Sequence, residues 1–215
     1  MASAVTDDPY AMYYVVRKDA RLTFGQAMAI AGSAAVRCRN EFRESERFRE
    51  AFDAWDERPR KVALRASADE MDEVRRELPC SYDGDELLCL PPMRKSERPP
   101  LLVDLRPFTD APRPKETPDP PAGPALVYVI RPGVIKTMGK AMAQAGHAAT
   151  GAAERGLEAW PAVTRAADDE QWASLRERTD AVVVADGGHT QVAPGTETVI
   201  ALPPGDATEG LSPVP

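Results

Sequence analysis

The 215 residues are 43% hydrophobic and 28% charged, a globular rather than a disordered composition, and the length suits one domain or two of about 100 residues. A formal net charge of −7 excludes long-range attraction of the whole molecule to nucleic acid, so any RNA site has to be a local patch. The first residues carry early acids without the apolar core of a signal peptide, and no stretch approaches the ~18 apolar residues of a membrane span, which points to a soluble cytoplasmic protein.

In chain order, residues 11–17 (AMYYVVR) are rich in β formers and predict a strand. Residues 23–35 (TFGQAMAIAGSAA) open a helix, with Thr and Gly ahead of strong helix formers. An amphipathic segment follows, in which Phe48, Phe52 and Trp55 fall at i, i+4 and i+7. Residues 61–78 read as a strand leading into a helix, where Ser67 and Glu70 form a capping box and Met71, Val74 and Leu78 one apolar stripe. Residues 86–107 read as strand, loop and strand. A Pro-rich linker spans 107–124.

The plan then starts again. Residues 125–131 (ALVYVIR) are a second strand of the first kind, and residues 137–149 (TMGKAMAQAGHAA) keep nine of the thirteen letters of 23–35. Residues 161–178 match 61–78, and residues 182–203 align without gaps on 86–107. Each copy reads β-α-β-α-β-β, an α/β domain whose helices flank a four-stranded mixed sheet. The boundaries are 1–106, linker 107–124, 125–204, and a flexible tail 205–215. Two copies can pack as a pseudo-dimer or stand as beads on a string. Cys38, Cys80 and Cys89 have no metal-type spacing and read as reduced thiols, with neither metal nor disulfide expected.

The differing letters are informative. Gln26, Ile30 and Ser33 of the first copy become Lys140, Gln144 and His147, one face of a helix, while the small residues that let the helix sit close on its sheet stay. Lys140 sits in the first turn, where a cation opposes the helix dipole, so it is either a solvated lysine or part of an anion site with the free N–H groups there. His147 reads as a structural hydrogen-bonder ahead of a general base. Asp186 ends a strand before two glycines, a position that suits both a site carboxylate and a turn former. In the gapless alignment Asp186, Thr190 and Thr198 face Leu90, Arg94 and Leu102, so the second copy alone carries these polar groups.

Residues 129–149 (VIRPGVIKTMGKAMAQAGHAA) and 182–205 (VVVADGGHTQVAPGTETVIALPPG) together resemble the archaeal and eukaryotic, second class of peptidyl-tRNA hydrolases. The first copy resembles it only in fold-forming letters and is degenerate. The resemblance implies hydrolysis of the ester between a peptide and its tRNA without metal or cofactor. Carried over by motif, the catalytic set is Lys140, Asp186, Thr190 and Thr198, with Gln144, His147, His189 and Gln191 binding substrate or supporting the set. The second copy departs from the family pattern at Gly133, Met138 and His189 and lacks its last helix, losses that touch tRNA binding more than the reacting groups. The alternatives are a non-catalytic tRNA-, RNA- or protein-binding relative, or a hydrolase of another acyl-tRNA.

Overall fold

The computed structural model of the chain describes residues 8–111, 124–157, 161–188, 192–205 and 210–214. In the first half β1 (Tyr10–Arg17), α1 (Phe24–Phe42), α2 (Arg49–Glu57), β2 (Lys61–Ala66), α3 (Ala68–Glu77), β3 (Ser81–Asp83), β4 (Leu87–Arg94), α4 (Pro100–Val103) and β5 (Arg106–Pro107) follow one another. In the second half the order is β6 (Leu126–Ile130), α5 (Met138–Glu154), β7 (Ala162–Ala166), α6 (Asp169–Arg176), β8 (Val182–Ala185), β9 (Glu197–Leu202) and β10 (Ser212–Pro213). No described helix is long and apolar enough to cross a membrane.

Local chemistry sets the helix starts. Thr23 and Gln26 exchange hydrogen bonds as a capping box at α1, as do Ser67 and Glu70 at α3 and Asp168 and Gln171 at α6. Thr137 accepts from the Lys140 N–H at α5. The strands are apolar on both faces because both faces are covered. Met12, Tyr14 and Val16 of β1 face the core shared by the two halves, while Ala11, Tyr13 and Val15 face the side closed by α3 and α4.

Two mixed five-stranded sheets result, ordered β3-β4-β1-β2-β5 and β10-β7-β6-β9-β8, with β1/β2 and β6/β7 parallel and the other pairs antiparallel. The expected four strands form the body of the second sheet, but only three of them do so in the first: the strand expected near the end of residues 86–107 is the short helix α4, opened by Pro99 and Pro100, and its place in the sheet is taken by the unexpected β3. The fifth is a two-residue edge strand, β5 or β10, too short to carry a sequence pattern. The end of the chain, expected to trail away, returns instead: Ser212 and Pro213 pair with Ala166 and Arg165, and Leu211 packs on the second sheet's outer core. The expected linker also begins later than 107. Phe108 is buried, its N–H donates to Ala63 O at 2.8 Å, and Asp110 pairs with Arg65 at 3.4 Å. Residues 112–123 of that linker lie outside the described ones.

The halves form a pseudo-dimer, with α1 and α5 side by side between the two sheets in one continuous apolar core. Here the repeated small letters have a different role from holding each helix on its own sheet. A Cβ on Gly32 of α1 would lie 2.0 Å from Tyr128 Oη of the second sheet, and one on Gly146 of α5 would lie 2.0 Å from Tyr14 Oη of the first. The glycines let each central-strand tyrosine pass close to the opposite half's helix. Tyr14 Oη donates to Ala31 O at 2.9 Å.

Strand register also corrects the gapless alignment of 86–107 on 182–203. Leu87 pairs with Val16 in the first sheet, and Val199 pairs with Ile130 in the second. Hairpin β3–β4 is therefore the counterpart of β8–β9, and Leu90, Arg94 and Leu102 are not the counterparts of Asp186, Thr190 and Thr198. Residues 84–86 close the first hairpin, with Gly84 at φ 65°, whereas residues 186–196 connect the second. The first copy lacks the candidate loop altogether, rather than carrying other letters in it.

Candidate functional site

Three elements of the second half bring Lys140, Gln144, Asp186 and Thr198 together. Lys140 and Gln144 lie one turn apart on α5, and Asp186 follows the last residue of β8. Thr198 is the extra residue of a bulge in β9, since Val184 and Ala185 are consecutive on β8 while their partners Val199 and Glu197 skip it. The bulge turns the Thr198 hydroxyl inward, against Gln144 Oε1 (2.8 Å) and Val184 O (3.1 Å).

Asp186 is the hub. Its Oδ2 receives the Lys140 ammonium and a hydrogen bond from Gln144 Nε2 (2.7 Å), and its Oδ1 accepts from the Gly188 N–H at 2.7 Å. The Asp186 side chain is 2% exposed and that of Lys140 13%. Lys140 is thus no freely solvated lysine: it stands at the boundary between a buried carboxylate and the surface. The expected anion site at the start of α5 is not open, because the Met138 N–H donates to Asp110 O at 2.8 Å and the Lys140 N–H to Thr137. Any role of Lys140 toward an anion is carried by its ammonium, not by the helix end.

His147 parts from this set. Its ring stacks on Trp55 at 6.2 Å and 10°, and its Nδ1 lies 3.2 Å from Lys61 Nζ, both residues of the first half. Burial, then the nearby Lys61 and Lys140 charges, hold its pKa well below the ordinary histidine value, which leaves a neutral ring as a structural partner. His189, Thr190 and Gln191 lie outside the described residues.

The first half supplies what the sequence did not reveal. A cleft of about 550 Å³ opens beside Gln144 and Gly187, floored by α5 and β8 and walled by Arg39, Arg43, Trp55 and Asp56. Arg39 bonds to Asp56 (3.0 Å) and Glu154 (2.7 Å), and Arg43 also pairs with Asp56, so the wall is close to neutral. Trp55 had shown only as one position in an apolar stripe. Lys61 was a signal that went unused, since the period-two pattern places it on the same face as the buried Ala63.

Lys61 also gives the fold a pH dependence. Burial lowers its pKa to about 7, with the cation held over the Trp55 ring at 4.3 Å. Between that value and its unfolded pKa the unfolded chain binds the extra proton, so stability rises with pH, by at most about 1.4 kcal/mol per unit. Urea unfolding between pH 7 and 8.5 is expected to show this slope in the wild type and a much shallower one in Lys61→Met, where only the tail of the His147 titration, which acts in the same sense, remains. The window stops there because burial raises the Cys38, Tyr14 and Tyr128 pKa values, which acts in the opposite sense once those groups ionise in the unfolded chain. Equal slopes in the two proteins would contradict the assignment.

The sequence model of the family described as peptidyl-tRNA hydrolase PTH2 matches residues 10–80 and 125–210. The chain belongs to the peptidyl-tRNA hydrolase PTH2 family. No curated relative matches it. The first PTH2 segment covers β1 to α3 and stops just before β3, where the first half closes its short hairpin. The second runs through the Lys140–Asp186 cluster to the return of the chain toward β10. Both halves thus carry a PTH2 match, and the second alone includes the long 186–196 connection.

Proposed function

We propose that the second half hydrolyses the ester joining a peptide to the 3′ end of its tRNA, with the first half as a degenerate partner that completes the cleft. The observation that carries this reading is the contact of Lys140 and Gln144 with the buried Asp186 beside that cleft, in a chain of the PTH2 family. A carboxylate offers about four acceptor sites. Three are used here, by Lys140, Gln144 and Gly188, which leaves one for the O–H of a water. That water's oxygen adds to the ester carbonyl carbon, and Lys140, with N–H donors to spare, stabilises the oxyanion that forms. The C–O bond to the ribose then breaks, the ribose oxygen leaves with a proton, and the products are a peptide acid and a free tRNA. Thr198 and Gln144 hold Asp186 in place.

Thr190 is assigned to the proton's path, and His189 and Gln191 to substrate binding, on the family resemblance. On the family resemblance we assign the reaction no metal or cofactor, and the chain to the cytoplasm. Mixing the purified chain with N-acetyl-aminoacyl-tRNA and separating charged from free tRNA tests the proposal. Turnover is expected, whereas saturable binding with the ester intact would assign the chain to the non-catalytic, RNA-binding alternative.

A further inference from the structure

The four sheet edges are treated differently. Edge strands are normally blunted by proline, charge or extreme shortness, because their unpaired backbone groups invite another strand. β5 contains Pro107, β10 contains Pro213, and the three-residue β3 ends in Asp83. β8, Val-Val-Val-Ala, has none of these protections. It is also the edge that lines the cleft and runs directly into Asp186.

Its backbone directions follow from the ladder. The Asp186 N–H donates to Thr196 O and its C=O accepts from the Gly195 N–H, both at 2.8 Å, so residue 186 faces the β9 side. The bulge residue lies on β9, so alternation along β8 is unbroken, and the N–H and C=O of Val183 and Ala185 point away from β9. No described strand pairs with that side. Arg155 Nη1 bonds to Ala181 O at 2.7 Å and closes the edge behind Val183. What remains is two residues of open edge beside the Lys140–Asp186 cluster.

We infer that the peptide part of the substrate binds as a short strand added parallel to β8, its backbone paired with Val183 and Ala185 and its C-terminal ester carbonyl at Lys140 and Asp186. The inference rests on the hydrolase reading for where the ester lies. Parallel addition follows because β8 and the peptide both run toward Asp186. Main-chain pairing reads what all peptides share, which suits a substrate whose side chains are not fixed. The cleft wall agrees: the Arg39 and Arg43 charges are met by Asp56 and Glu154, an environment for a neutral peptide backbone and not for a run of phosphates.

The test uses 3′-peptidylamino-3′-deoxyadenosine probes, amide-linked and not cleavable, carrying one or four alanines, with binding read from tryptophan fluorescence. Affinity is expected to rise with length, by roughly fivefold per backbone hydrogen bond gained. N-methylation at alternate residues is expected to remove that gain, and methylation at the intervening residues to leave it. Ala185→Pro, which deletes an outward N–H at a position where an edge strand tolerates proline, should flatten the length dependence while the thermal midpoint holds. Equal affinity for one and four alanines, or no alternation in the methyl scan, overturns the inference even if peptidyl-tRNA is cleaved. An alternating scan in a protein that cleaves no ester would keep the strand site and overturn the hydrolase reading. Loss of both overturns both.

Discussion

Lys140→Ala is expected to lower kcat for peptidyl-tRNA by about 10²–10³-fold, the usual cost of deleting a donor to a developing oxyanion. It is also expected to destabilise the fold, because the Asp186 side chain, 2% exposed, loses its counter-charge; stranding one member of a buried pair costs about 3–5 kcal/mol. Lys140→Met combined with Asp186→Leu separates the two effects. With both charges gone, stability is expected to recover by about 1–3 kcal/mol relative to the stranded carboxylate, since apolar replacement of a buried pair is often tolerated. Activity is not expected to recover. Single-turnover kinetics with urea unfolding of the same samples reads both quantities. Wild-type turnover in the single variant, or recovery of activity in the double, would remove Lys140 and Asp186 from the chemistry.

The second large effect lies away from the reacting groups. Gly146→Ala places a methyl carbon 2.0 Å from Tyr14 Oη, well inside any tolerated contact, in the middle of the interface between the halves. Over-packing of this kind costs about 1–3 kcal/mol and sometimes more. Gly32→Ala, facing Tyr128 Oη at the same distance, is expected to behave alike. Gly146 also lies two residues from Gln144 on α5, so the first variant is expected to lose activity beyond its loss of stability, and the second less so. Because α1 and α5 share one core, urea is expected to unfold both halves in one transition. Two separated transitions, or a Gly146→Ala change below about 0.5 kcal/mol, would contradict the packing described.

Much of this was legible in the sequence because it is local. The capping box at Ser67, the β-rich strands and the repeat itself set most element types within a few residues, and β-α-β-α-β-β holds in the second half, whereas in the first the expected last strand is α4. What escaped was non-local. The alignment of 86–107 on 182–203 slid because apolar strand letters match in many registers, and only the pairing of Leu87 with Val16 and Val199 with Ile130 selects one. The small residues of the repeated phrase read as ordinary helix packing, since sequence spacing does not say which half a helix face meets. Lys140, Gln144 and Asp186 were found through a motif, and the structure adds their contact. Trp55, Lys61 and Arg39 carry no motif, and their place beside the second half's cleft follows only from the pseudo-dimer. The bulge at Thr198 leaves no mark in the letters, yet it is what turns that hydroxyl toward Gln144.

The central claim, that this chain splits peptidyl-tRNA by water attack at the acyl carbon, is tested most directly by turnover in H₂¹⁸O followed by mass spectrometry of both products. One labelled oxygen in the carboxylate of the released peptide and none in the tRNA is the expected result. An ester left intact, or label at the tRNA's 3′ end, would contradict it.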